Sequence, residues 1–201
     1  MRGLIIVLSL ILLAVPGQAQ EDSSSKCVLE QLAVEAALGD TDAQYNLGVE
    51  FYRGDHFPRD YAKAATMWGK ASTAGSVEAA NNLGFLKYYG RPGVARDYSE
   101  GISLWRFAAE RGFAESQVHL GQAFSDGRFL KQDFVEAYAW AMAGKHYSSK
   151  MVEIINDPRI GKEVERDAEK VLAEARTKLS RQQLAEAEKR AHEYISKYAP
   201  R

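Results

Sequence analysis

One cysteine in 201 residues excludes an intrachain disulfide as the brace of the fold. Cys27 reads as a quiet free thiol near the start of the fold, with an intermolecular link as the alternative. An excess of either charge is also missing. With 27 acidic against 26 basic residues, the chain does not read as a dedicated nucleic-acid or anionic-membrane binder. The sequence has no paired-histidine zinc motif, glycine-rich phosphate loop or serine elbow. His56, His119, His146 and His192 each lack a second ligand at metal spacing, and the carboxylates fall on helix faces and caps. No catalytic residue, metal site or cofactor is expected.

The apolar run from Leu4 to Val15 is shorter than the about 20 residues a membrane span requires. Arg2 before it and Pro16-Gly17-Gln18-Ala19 after it predict a signal peptide over residues 1–19, cut after Ala19. A periplasmic or secreted protein with no membrane span is then expected. An uncleaved anchor is the alternative. A lipoprotein is not, because Ser24-Ser25-Lys26 precedes Cys27, well beyond the apolar run.

What the chain does have is repetition. Ala43-Gln44-Tyr45-Asn46-Leu47-Gly48 returns as Ala79-Ala80-Asn81-Asn82-Leu83-Gly84 and as Ser116-Gln117-Val118-His119-Leu120-Gly121. The glycines lie 36 and 37 residues apart. A second marker, Asp60-Tyr61, Asp97-Tyr98 and Asp133-Phe134, recurs at 37 and 36 residues. Two markers in one register predict a solenoid of helix pairs. Such an array offers an extended surface to a partner rather than a pocket built for chemistry.

Each repeat reads as a helical hairpin. Asp40 and Ser76 are placed to cap first helices, and Gly54, Gly90 and Gly127 to end them in a left-handed residue. Each loop keeps one apolar plug, Phe57, Val94 or Leu130. Asp60, Asp97 and Asp133 are expected to cap the second helices. These carry small residues beside Trp68, Trp105 or, displaced by one place, Trp140. Glycine inside a helix costs about 1 kcal/mol relative to alanine. Gly48, Gly84 and Gly121 therefore imply close approach of another helix.

This pattern resembles the Sel1-like repeat, a relative of the tetratricopeptide repeat with a slightly longer period. The match runs best through Asp42 to Gly48, Tyr61 to Ala65 and Ala74-Gly75, with Lys87 replacing an aromatic found as Phe51 and Phe124. The resemblance implies an all-α fold, a right-handed α-α superhelix (solenoid) of about three helix-turn-helix repeats with helical caps. Boundaries follow at 20–38 for an N-terminal capping helix, 39–75, 76–112 and 113–147 for the repeats, and 148–201 for a linker and C-terminal capping helices. Leu29, Leu32, Ala33, Ala36 and Ala37 form the apolar side of the first cap. A linker is expected around Ser148 to Gly161. Beyond it, Val164, Ala168, Val171, Leu172, Ala175 and Leu179 stripe one helix. The capping box Ser180-Arg181-Gln182-Gln183 starts a last helix striped by Leu184, Ala187, Ala191, Ile195 and Tyr198.

By analogy with tetratricopeptide arrays, exposed first-helix positions line a concave groove. The candidate partner-binding residues are Tyr45, Val49, Tyr52, Asn81, Phe85, Tyr88, Val118 and Gln122, beside Asp42, Glu78, Glu115 and Ser125. Aromatic anchors among amide and acidic groups suit capture of a peptide or protein segment. Packing against the next hairpin is the alternative role for several of them. The resulting expectation is a monomeric, non-enzymatic interaction scaffold of the bacterial envelope. Alternatives within the resemblance are a β-lactam-binding or hydrolysing enzyme, which would carry a cysteine pair in each repeat, and a cell-wall-binding module.

Overall fold

The computed structural model describes residues 23–155 and 158–200, with side-chain environments for residues 27–148 and 161–200. Among the described residues the chain forms an α-α solenoid of nine helices. In order they are α1 (Ser23–Leu38), α2 (Thr41–Arg53), α3 (Tyr61–Thr73), α4 (Val77–Tyr89), α5 (Tyr98–Ala109), α6 (Ala114–Asp126), α7 (Phe134–Ile155), α8 (Pro158–Lys178) and α9 (Arg181–Lys197). None of these is long and apolar enough to cross a membrane. The signal peptide expected over residues 1–19 lies outside the described residues.

Helix starts follow from side-chain caps. Asp40 accepts from the Ala43 amide at 2.7 Å and Ser76 from the Ala79 amide at 3.1 Å. Asp60 and Asp97 accept from Lys63 and Glu100 at 2.9 Å, and Asp133 takes both the Val135 and Glu136 amides. Each such cap contributes about 1 kcal/mol. Helix α6 differs, because Phe113 precedes it and provides no side-chain cap. That ring instead packs onto Ala114 and its apolar neighbours. Helices α2 and α6 end on Gly54 and Gly127 at φ 78° and 64°, a region that favours glycine. The loop after α4 closes on itself through a bridge between Arg91 and Val94, which sinks Val94 into the core beneath α3 and α4.

The interior glycines mark the tightest crossings. A Cβ on Gly48 would lie 2.5 Å from the Trp68 Nε1, and one on Gly84 would lie 2.7 Å from the Trp105 Cδ1. Each indole fills the space that the glycine leaves. Trp68 Nε1 donates to the Tyr45 carbonyl at 3.1 Å, and Trp105 Nε1 to the Asn81 carbonyl at 3.2 Å. Both tryptophans are almost wholly buried, at 2% and 1% exposure. In the third hairpin Gly121 faces backbone instead, with the Ala137 carbonyl 2.9 Å from its Cβ position.

Both ends are covered by helices. Leu32, Ala33 and Ala36 of α1 pack on Ala43 and Leu47, and the Gln44 amide donates to the Ala36 carbonyl at 3.1 Å. Ala37, expected on this apolar side, faces solvent. The stretch expected as a linker around Ser148 to Gly161 is helical through Ile155 and again from Pro158. No glycine or proline interrupts 145–155, and proline at the first helical position loses no hydrogen bond. Helix α7 is flanked by α6, α8 and α9. Val164, Ala168, Val171, Leu172 and Ala175 are buried along α8. The Ser180–Gln183 capping box opens α9, which buries Ala187 and Ala191. Glu136 ties α9 to α7, taking Arg190 at 2.7 Å and the Tyr194 hydroxyl at 2.9 Å.

Candidate partner-binding groove

Two adjoining depressions run across the first helices of the hairpins. One, of about 430 Å³, is lined by Tyr45, Val49 and Tyr52 of α2, Asn81, Asn82 and Phe85 of α4, and Glu115 of α6, with Arg53 at its edge. The other, of about 280 Å³, continues over Phe85 and Tyr89 to Glu115, Val118, His119 and Gln122 of α6. Its far wall is α8, which contributes Glu163, Val164, Asp167 and Lys170. Phe85, Glu115 and Glu163 line both, so the two form one groove.

Of the eight sequence candidates, seven line this groove. Tyr45, Val49, Tyr52, Phe85 and Gln122 are half-buried, as surface anchors must be. Asn81 and Val118 contribute from a buried floor, at 1% and 5% exposure. Tyr88 does not reach it. Its ring lies 4.9 Å from Tyr98 and 4.8 Å from Trp105, inside the hairpin core. Its hydroxyl has no hydrogen-bond partner among the described residues, and burial pushes its pKa up to about 12. The next residue, Tyr89, turns to the groove in its place. Of the other positions expected there, Ser125 is buried and donates to Glu174 at 2.7 Å.

Polar groups on the floor are fixed by a buried chain of hydrogen bonds. Ser116 Oγ donates to Asn81 Oδ1 at 2.7 Å, and Asn81 Nδ2 donates to Glu115 Oε2 at 3.0 Å. Glu115 keeps 42% of its side-chain surface open to the groove. Packed protein nonetheless surrounds its carboxyl on most sides. That desolvation, reinforced by Glu163 and Asp167, raises its pKa against the opposing Asn81 bond. Its other oxygen lies 3.8 Å from His119 Nε2. The His119 ring stacks on Trp105 with centroids 4.6 Å apart. Nε2 is buried without a hydrogen-bond partner among the described residues, and burial pushes the imidazole pKa down to about 4. His119 is thus neutral at pH 7 and leaves the charge of Glu115 uncompensated. Burial raises the Tyr45 phenol, with Glu78 and Glu115 adding to the effect.

The sequence did not reveal the contribution of α8. Glu163 and Asp167 sit on the outer side of its apolar stripe, where they read as a solvated face. The packing of Val164 and Ala168 in one cluster with Ala114, Val118 and Tyr147 brings them over the groove.

The Sel1 repeat matches residues 41–76, 77–113 and 114–141, half of the chain. Solved structures similar to this chain include two that match over most of it. One is c5321, a protective antigen from uropathogenic Escherichia coli strains with an SLR fold, at 26% identity and TM-score 0.53. It matches over 85% of this chain, which spans 41% of that longer protein. The other is a Sel1 repeat protein from Oxalobacter formigenes, at 26% identity and TM-score 0.51, over 70% of this chain and 98% of that one. No curated protein matches the chain.

Proposed function

Because this chain belongs to the Sel1 repeat family, whose members generally act as protein-interaction scaffolds, we propose that it is a non-enzymatic adaptor of the bacterial cell envelope. A cleaved signal peptide over residues 1–19 would deliver it to the periplasm or the exterior. It holds a protein or peptide segment along the groove formed by α2, α4 and α6. One observation carries this reading: half-buried Tyr45, Val49, Tyr52 and Phe85 from two successive hairpins share one continuous groove. Rings held in place on rigid helices provide large contact area at low entropic cost, which is how interface anchors work.

Photo-crosslinking in intact cells tests it. A benzophenone amino acid at Val49 or Gln122 is expected to give a discrete adduct. The same probe at Thr66, exposed on α3 away from the groove, is expected to give none. Equal adducts at all three positions, or none at Val49 and Gln122, would overturn the assignment.

A further inference from the structure

We infer that the segment bound in the groove presents a lysine or arginine side chain, received between Glu115 and Glu163 over the ring of Phe85. This rests on the groove reading above and adds the chemistry of the occupant. Three elements converge at the place where the two depressions meet: α4 with Phe85, α6 with Glu115 and α8 with Glu163. An apolar face beside two carboxylates matches a long aliphatic stem that ends in a cation.

Both carboxylates lack a positive partner at neutral pH. Glu115 is held by Asn81, whose amide is in turn oriented by Ser116, both almost fully buried. It is a carboxylate fixed in position before any ligand arrives. Its nearest basic group, His119, is a neutral ring stacked on Trp105. Glu163 has no ion pair or hydrogen bond among the described residues. The third acid, Asp167, is engaged by Lys170 at 2.7 Å. The cations that line the groove, Arg53 and Lys170, each line only one of its two parts. Arg91, which lines neither part of the groove, lies 5.0 Å from the Phe85 ring centroid, so this ring already takes part in a cation–π contact of the kind proposed.

An anionic segment would meet repulsion at the same point, so charge selects the partner as well as attracting it. Association is expected to weaken with added salt, because the groove is open to solvent.

The test uses the purified chain and three fluorescein-labelled peptides: Gly-Ser-Leu-Lys-Leu-Lys-Gly-Ser and its glutamine and glutamate counterparts, followed by anisotropy. The lysine peptide is expected to bind about tenfold more tightly than the glutamine one, as a charge-assisted contact gives. The glutamate peptide is expected not to bind. Glu163→Gln, at an exposed position, should remove most of that preference with an unchanged circular dichroism spectrum. Glu115→Gln keeps the acceptor for Asn81 and should act in the same direction. Equal binding of the lysine and glutamine peptides overturns the proposal, and so does a preference that survives in the double variant. If no peptide binds while Val49 and Gln122 still crosslink, the cation assignment falls and the groove stands. Loss of those crosslinks as well removes both.

Discussion

The first two hairpins and the third solve the same crossing in different ways. In the first two, the indole of the second helix fills the slot left by the glycine of the first, and its N–H reaches the carbonyl three residues before that glycine. In the third, the register of Trp68 and Trp105 is taken by Ala141, and the tryptophan sits one place earlier at Trp140. One residue along a helix turns a side chain by about 100°. Trp140 therefore leaves the crossing and clusters with Tyr194 of α9 and Tyr198 just beyond it, with centroids 4.4 and 5.4 Å away. The alanine lets α6 and α7 approach closely at Gly121. A repeat-to-repeat interface thus becomes a repeat-to-cap interface through a shift of one position.

Removing the indoles should separate the two arrangements most strongly. Trp105→Ala empties the centre of the array and is expected to cost about 3–5 kcal/mol, unfolding the hairpins together. Trp140→Ala should cost a comparable amount, but mainly as release of α9. Hydrogen exchange by mass spectrometry distinguishes them, since Trp140→Ala should deprotect α9 and leave α4 protected. Uniform deprotection in both variants would mean that α9 is an integral part of the array rather than a cap laid upon it.

Filling a glycine slot is the next largest perturbation. A side chain at Gly84 meets the Trp105 ring at 2.7 Å and the Gly101 carbonyl at 3.1 Å, so Gly84→Leu is expected to cost about 1–3 kcal/mol. Combined with Trp105→Ala it should cost less than the two effects added, because the new side chain then has room. Thermal melts of the three variants measure that coupling. An unchanged melting temperature for Gly84→Leu alone would mean that the crossing can open without cost.

The repeats, their caps and their glycine slots were legible because each is a local rule repeated in register. Asp60, Asp97 and Asp133 cap their helices as their spacing predicts, and the close approach expected at Gly48 and Gly84 is made there by an indole. Wherever the outcome depended on a neighbouring element, the sequence was silent or misleading. Tyr52 and Tyr88 occupy one register, yet Tyr52 lines the groove and Tyr88 is sealed by Tyr98 and Trp105. Residues 148–161 read as a linker because they contain Asp157-Pro158, but they hold no helix breaker before that pair. The α8 wall of the groove was unreadable for a simpler reason. Two acids on the outer side of an amphipathic helix look the same whether they face water or a binding surface.

His119 carries the comparison down to a single titration. The same register holds Asn46, exposed in the first hairpin, and Asn82, half-buried in the second. In the third the ring lies under α8, with Nε2 sealed and its pKa near 4 instead of 6.5. A histidine with a lowered folded-state pKa adds nothing to pH dependence above 6.5. As pH falls below that value the unfolded chain takes up the proton first, so stability declines toward pH 4. Glu115, whose folded-state pKa is raised, works in the opposite sense by gaining protons earlier when folded. Glu115 is present in parent and His119→Phe variant alike, so its effect cancels between them. With 20% of the His119 side chain still open, the histidine's own share is on the order of 1–2 kcal/mol. His119→Phe keeps a ring against Trp105 and removes the proton site. Urea melts of both proteins at pH 7 and pH 4.5 should show the variant gaining that amount relative to the parent on acidification. A difference that stays constant with pH would mean that the imidazole protonates freely in the folded chain, and that α8 does not seal the third hairpin as it covers the groove.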